Sequence, residues 1–70
     1  MTPTDFRAWH EAMGFTYDTG AAALGVSRST YAEWVAGRSR TTGRSITISR
    51  LVALACAALE AGLRPLGGVE

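Results

Sequence analysis

Seventy residues make one domain, and a chain this short buries too little surface to be comfortably stable without very regular packing, a staple or a partner. Cys56 is the only cysteine, which excludes an intramolecular disulfide and a cysteine-rich zinc site and favours a reducing, cytoplasmic setting. Net charge is only +1, yet 47% of the residues are hydrophobic, which points to an oligomer or an unusually apolar core rather than to disorder.

The opening MTPTDFRAWHE lacks a basic region followed by an apolar run, so no secretory signal is expected. The longest apolar run, from Leu51 to Leu59, falls far short of the ~20 residues a membrane-spanning helix needs, and a soluble protein is expected. No internal repeat or low-complexity segment interrupts the chain.

Thr2, Pro3 and Asp5 predict a first helix start: a hydroxyl cap, proline at the first helical position and a carboxylate at the third. Phe6, Trp9 and Met13 give one apolar stripe, Gly14 ends the helix, and Phe15 turns inward. His10 and Glu11 are expected to face mostly outward, and a lone histidine with no second ligand or nucleophile nearby carries no catalytic role. Trp9, in register with its stripe, is read as core rather than as a stacking platform.

Thr16 suits the cap of a second helix, which places Ala21 and Leu24 on one face before Gly25 stops it. A mid-helix glycine at Gly20 costs about 1 kcal/mol against alanine and leaves space that Tyr17, Tyr31 or Trp34 must fill. Gly25 supplies a left-handed turn, Val26 a buried anchor, and Ser27 the cap of a third helix. Tyr31, Trp34 and Val35 fall at i, i+3 and i+4 on its inner face. Arg28, Ser29, Ala32 and Glu33 then project away from the core.

The segment Gly37 to Thr47, GRSRTTGRSIT, reads as a loop, long for a helix connection and rich in hydrogen-bond donors suited to phosphate oxygens: Arg38, Arg40, Arg44, Thr41 and Thr42. Thr47 is expected to cap a last helix over about 47–62, with Ile48, Leu51, Val52, Ala55 and Leu59 as its core stripe and Gly62 at its end. The opposite side is not polar. Leu54, Cys56, Ala57, Ala58 and Ala61 leave that helix apolar nearly all round, which predicts a homodimer contact extended by Leu63, Pro65 and Leu66. An alanine-rich helix chosen for propensity is the competing explanation, and Cys56 reads as a small buried hydrophobe.

All seven basic residues are arginine, and five of them (Arg28, Arg38, Arg40, Arg44, Arg50) lie between positions 28 and 50 against the single acid Glu33, a local +4. The remainder of the chain carries −3. A solvated arginine loop would look the same by charge alone; its coincidence with the two-helix segment favours a phosphate-binding face.

The stretch over about 16–37 resembles the helix-turn-helix of the Xre/Cro, lambda-repressor-like family. The match is carried by Ala21, Gly25, Val26, Ser27, Tyr31, Trp34 and Gly37, and the resemblance extends from about Thr2 to Leu63. It implies an all-α fold of four, or five, compact helices and a sequence-specific regulator of transcription, a repressor or autorepressor that binds an inverted repeat in double-stranded DNA as a homodimer. Small phage or mobile-element regulators, Cro-like or encoded beside anti-CRISPR genes, have this form. In that reading Arg28, Ser29, Ala32 and Glu33 meet base edges, and Ser27, Thr30, Arg38, Arg40 and Arg44 hold the phosphate backbone. Tyr17 either offers its hydroxyl to a phosphate, as the resemblance implies, or covers the space at Gly20. Leu54, Ala57, Ala58, Ala61, Leu63 and Leu66 form the dimer contact. No cofactor, metal, membrane or small-molecule effector is expected, and no nucleophile and base pair suggests an enzyme. The alternative is a protein-binding module, such as an antitoxin or polymerase-interacting adaptor, that uses the same helices.

Overall fold

A hydroxyl before, a glycine after: that punctuation shapes the first three helices of the computed structural model, which describes residues 1–39 and 41–67. Four helices form, α1 (Pro3–Met13), α2 (Tyr17–Leu24), α3 (Arg28–Ala36) and α4 (Arg50–Glu60), with no strand among the described residues. Thr2 and Asp5 close a reciprocal capping box on α1, and Thr16 and Thr19 do the same for α2. Ser27 accepts from the Thr30 amide at the start of α3. Such caps satisfy amides that the first helical turn leaves without partners.

The turn between α2 and α3 depends on Gly25, whose φ of 73° lies in the left-handed region where a side chain would be strained. Its amide bonds to the Ala22 carbonyl at 3.2 Å, and the Val26 amide reaches back to Ala21 at 3.0 Å. These two bonds satisfy the Ala21 and Ala22 carbonyls in the last turn of α2 and turn the chain directly into α3.

α3 is the central element, packed on α1 and α2, while α4 lies against α2. The core joins Phe6, Trp9, Ala21, Tyr31, Val35, Ile48 and Cys56. Its centre is aromatic. Phe6 meets Tyr31 and Trp34 edge-on at 5.2 and 5.6 Å between ring centroids, and Trp9 stands against Phe6 and Phe15. Both tryptophans therefore belong to the interior packing, Trp9 buried and Trp34 half-buried. Besides a contact at the Tyr31 hydroxyl, two polar ties join helices at this core: Trp9 Nε1 donates to the Cys56 carbonyl at 3.1 Å, and Arg7 donates twice to the Val35 carbonyl at 3.0 and 3.1 Å. The second places a guanidinium on the carboxyl end of α3, where it satisfies a terminal carbonyl and complements the helix dipole. Burial pushes the Cys56 thiol up to about 11, which keeps it a neutral, small hydrophobe.

The space beside Gly20 is filled by Tyr31. A methyl group built at Gly20 would overlap the Tyr31 ring, so the missing side chain is what lets α3 lie this close to α2. The Tyr31 hydroxyl ends against His10, whose Nδ1 lies 2.7 Å away in hydrogen-bonding geometry. His10 is accordingly half-buried between Tyr17 and Tyr31, not outward-facing as its place beside the stripe of α1 suggests.

The last helix departs from its sequence pattern in two ways. Ser49, not Thr47, is the cap, so α4 begins at Arg50 and ends at Glu60, and buried Ile48 precedes the helix rather than lying in its stripe. Leu51, expected in the core, is 77% exposed; the inward face is made by Val52, Ala55, Cys56 and Leu59. The longer connection from Gly37 to Ser49 is folded back on itself, with the Ser39 amide on the Arg44 carbonyl and the Ile46 amide on the Gly37 carbonyl. No helix among the described residues is long and apolar enough to cross a membrane.

Two expectations follow. Gly20→Ala destabilises the fold by about 1–3 kcal/mol in urea denaturation, because overpacking against Tyr31 outweighs the gain in helix propensity. Burial, helped by the neighbouring Cys56 and Tyr17, raises the Tyr31 phenol to about 12, above its ordinary 10.0. The unfolded chain then ionises first, so the stability that Tyr31 contributes is complete below pH 10 and is lost as pH rises from 10 through 12; Tyr31→Phe removes that part of the alkaline denaturation profile and leaves the part that the raised Cys56 thiol adds from pH 9.

Candidate nucleic-acid interface

The amino-terminal end of α3 is presented by the same turn that starts it. Arg28 and Ser29 occupy the first two helical positions and are exposed, while Ala32 and Glu33, one turn on, are half-buried. Ser27 both accepts from the Thr30 amide and donates from its hydroxyl to Thr30 Oγ1 at 3.0 Å, so its hydroxyl is committed to the cap. Thr30 is half-buried beside it.

Arg28 is held from two sides. Its Nε lies 3.1 Å from Asp18 Oδ1, and its guanidinium carbon stands 5.2 Å from the centroid of the Tyr17 ring. Asp18 and Tyr17 open α2, so the pairing links the starts of the two helices across the turn. With the Arg28 and Asp18 side chains 62% and 80% exposed, the ion pair is screened by water and contributes little to stability; its effect is on where the guanidinium points. Arg28 retains further N–H donors for a ligand, since a guanidinium carries five.

Tyr17 lies half-buried in a cluster of three mutually contacting rings with His10 and Tyr31, and Arg28 stands over its ring. The space at Gly20 belongs to Tyr31, which leaves Tyr17 as a shelf for Arg28.

Arg38 and Arg44 are exposed in the connection before α4. Residues 38 and 45 form an isolated antiparallel bridge, and Arg38 Nη1 donates to the Gly43 carbonyl at 3.3 Å, so Arg38 helps fold the loop that carries Arg44. Thr41 and Thr42 amides both bond to Ser39 Oγ, while Thr42 Oγ1 accepts from the Arg44 amide. Arg40 lies outside the described residues. The arginine segment thus has a built turn of its own.

The structure brings Arg28 together with Tyr17, Ser27 and Thr30 at one end of the helix pair. It adds two residues that the sequence reading did not use there: Asp18, paired with Arg28, and His10, against Tyr17. Asp18 and Arg28 are ten residues apart on different helices, and only the tight turn makes them neighbours. Of the dimer candidates, Leu54, Ala57, Ala61, Leu63 and Leu66 are exposed and Ala58 is half-buried. Beside them runs an apolar groove of about 290 Å³ lined by Leu24, Val26, Trp34, Leu51, Val52 and Ala55.

The orienting role of Asp18 predicts that Asp18→Ala leaves the urea midpoint essentially unchanged while broadening the Arg28 side-chain NMR signals, the guanidinium having lost its fixed acceptor. No family model, curated protein or solved structure gives a match to this chain, so its reading rests on its own residues.

Proposed function

We propose that the chain is a sequence-specific double-stranded-DNA-binding regulator of transcription, a repressor of the lambda-repressor-like helix-turn-helix type, which docks α3 in the major groove. The observation that carries this reading is the exposed, oriented Arg28 at the tip of a capped helix whose turn fixes it against α2. Arg28 is suited to bidentate bonding with guanine, Ser29 to either donor or acceptor, Ala32 to a thymine methyl and Glu33 to a cytosine amine. Tyr17, Ser27, Thr30, Arg38, Arg40 and Arg44 supply positioning contacts: arginines neutralise phosphates, and Tyr17 braces Arg28.

Two copies would place their α3 helices about one DNA turn apart, ~34 Å, and read an inverted repeat. Repression then follows from occupying a promoter that overlaps the site. A second reading, a protein-binding module such as an antitoxin or polymerase-interacting adaptor, draws on the exposed apolar side of α4 and predicts no salt-sensitive affinity for duplexes.

Selection of bound duplexes from a random library tests the first reading, which expects paired half-sites. On the selected site, Arg28→Ala costs about 1–3 kcal/mol and relaxes preference at one base position, whereas Arg44→Ala weakens all duplexes alike and flattens the salt dependence. Full affinity in both variants would reject the assigned face.

A further inference from the structure

The exposed side of α4 carries a pattern that fits one occupant. At about 100° per residue, Val52, Cys56 and Leu59 point to the core and Arg50, Leu54, Ala57 and Ala61 fall on the opposite crest. All four crest residues are exposed; Leu54, at 56%, is its one large apolar side chain. Glu60, also exposed, stands on the helix flank about a right angle from the crest, at the far end from Arg50, and neither forms an ion pair with another described residue.

This arrangement is self-complementary in a single sense. When two copies of α4 lie antiparallel and centred on one another, residue 50 faces residue 61 and residue 54 faces residue 57. Leucine then meets alanine twice, large against small, and Arg50 of each copy comes beside Glu60 of the other. A parallel pairing in the same register sets Leu54 on Leu54 and Arg50 on Arg50, with Ala57 on Ala57 leaving a gap. Size and charge thus choose the same register, and an isologous two-fold contact requires this kind of matching.

We propose that α4 is the self-association surface and that its occupant is a second copy of this chain, packed antiparallel across a two-fold axis at the middle of the helix, with Leu54 over Ala57 and Arg50 beside Glu60. The proposal deepens the homodimer part of the reading above and stands without its DNA part. Leu51, about a right angle round the helix from the crest, forms the outer lip of the groove at Trp34, which borders the contact on that side.

Sedimentation equilibrium of the full chain without DNA tests it. The wild type is expected to dimerise, Leu54→Asp to become monomeric with an unchanged helical circular dichroism spectrum, and Arg50→Glu or Glu60→Arg each to weaken dimerisation about tenfold, since every symmetric dimer then holds two like-charge pairs. The Arg50→Glu/Glu60→Arg double variant returns to within about twofold of the wild type, because both pairs are rebuilt with reversed sign. A double variant no better than the singles overturns the antiparallel register. A wild type that stays monomeric at hundreds of micromolar overturns the second copy as occupant and leaves the face to a different protein. Loss of DNA binding with dimerisation intact would count against the DNA reading alone.

Discussion

The approach of α3 to α2 depends on one contact, the Tyr31 ring laid over Gly20. A glycine in the middle of a helix weakens that helix, and here the loss is offset by burying an aromatic ring completely and by giving its hydroxyl a partner in His10. The same ring meets Phe6 of α1 and Tyr17 of α2. Three helices are therefore indexed on one side chain, and the tilt at which α3 offers its amino end to solvent is set by that ring rather than by the turn alone.

The turn and the ring act at different ranges. Gly25 fixes direction locally through its left-handed backbone and the two bonds that close α2. Tyr31 fixes distance. Between them, the first residues of α2 and α3 come close enough for Arg28 to find both Asp18 and the face of Tyr17. An arginine so placed loses less side-chain freedom on meeting a ligand than one that hangs in water, which favours selectivity. Asp18 brings a negative charge to the same place, so the arrangement exchanges general attraction to phosphate for definition of where one guanidinium lies.

Local signals made the first half of the fold legible from the residues. Thr2, Thr16 and Ser27 are caps because each is a hydroxyl followed by a helical pattern, and Gly14, Gly25 and Gly37 are ends because each interrupts one. The occupant of the Gly20 space was not decidable, since Tyr17, Tyr31 and Trp34 are all aromatic and only the crossing of α3 selects among them. α4 was harder for a different reason. With nearly every position apolar, periodicity carries no phase, and Ile48 looks like the first member of a stripe when it in fact packs before the helix begins. That displaced the cap from Ser49 to Thr47 and turned Leu51 inward. The Arg28 clamp needed tertiary structure, because nothing in the spacing of Asp18 and Arg28 joins them; the exposure of Arg28 and Ser29 needed only the cap.

The indole of Trp9 is buried and fixed by its bond to the Cys56 carbonyl, while that of Trp34 is half-buried at the wall of the groove along α4. One fluorophore sits at the seam between the first and last helices, and the other sits where a neighbouring molecule would change its polarity. The protein thereby carries two intrinsic optical reporters, a dry one for its integrity and a wetter one for company, separable by emission wavelength and by accessibility to a quencher without any added label.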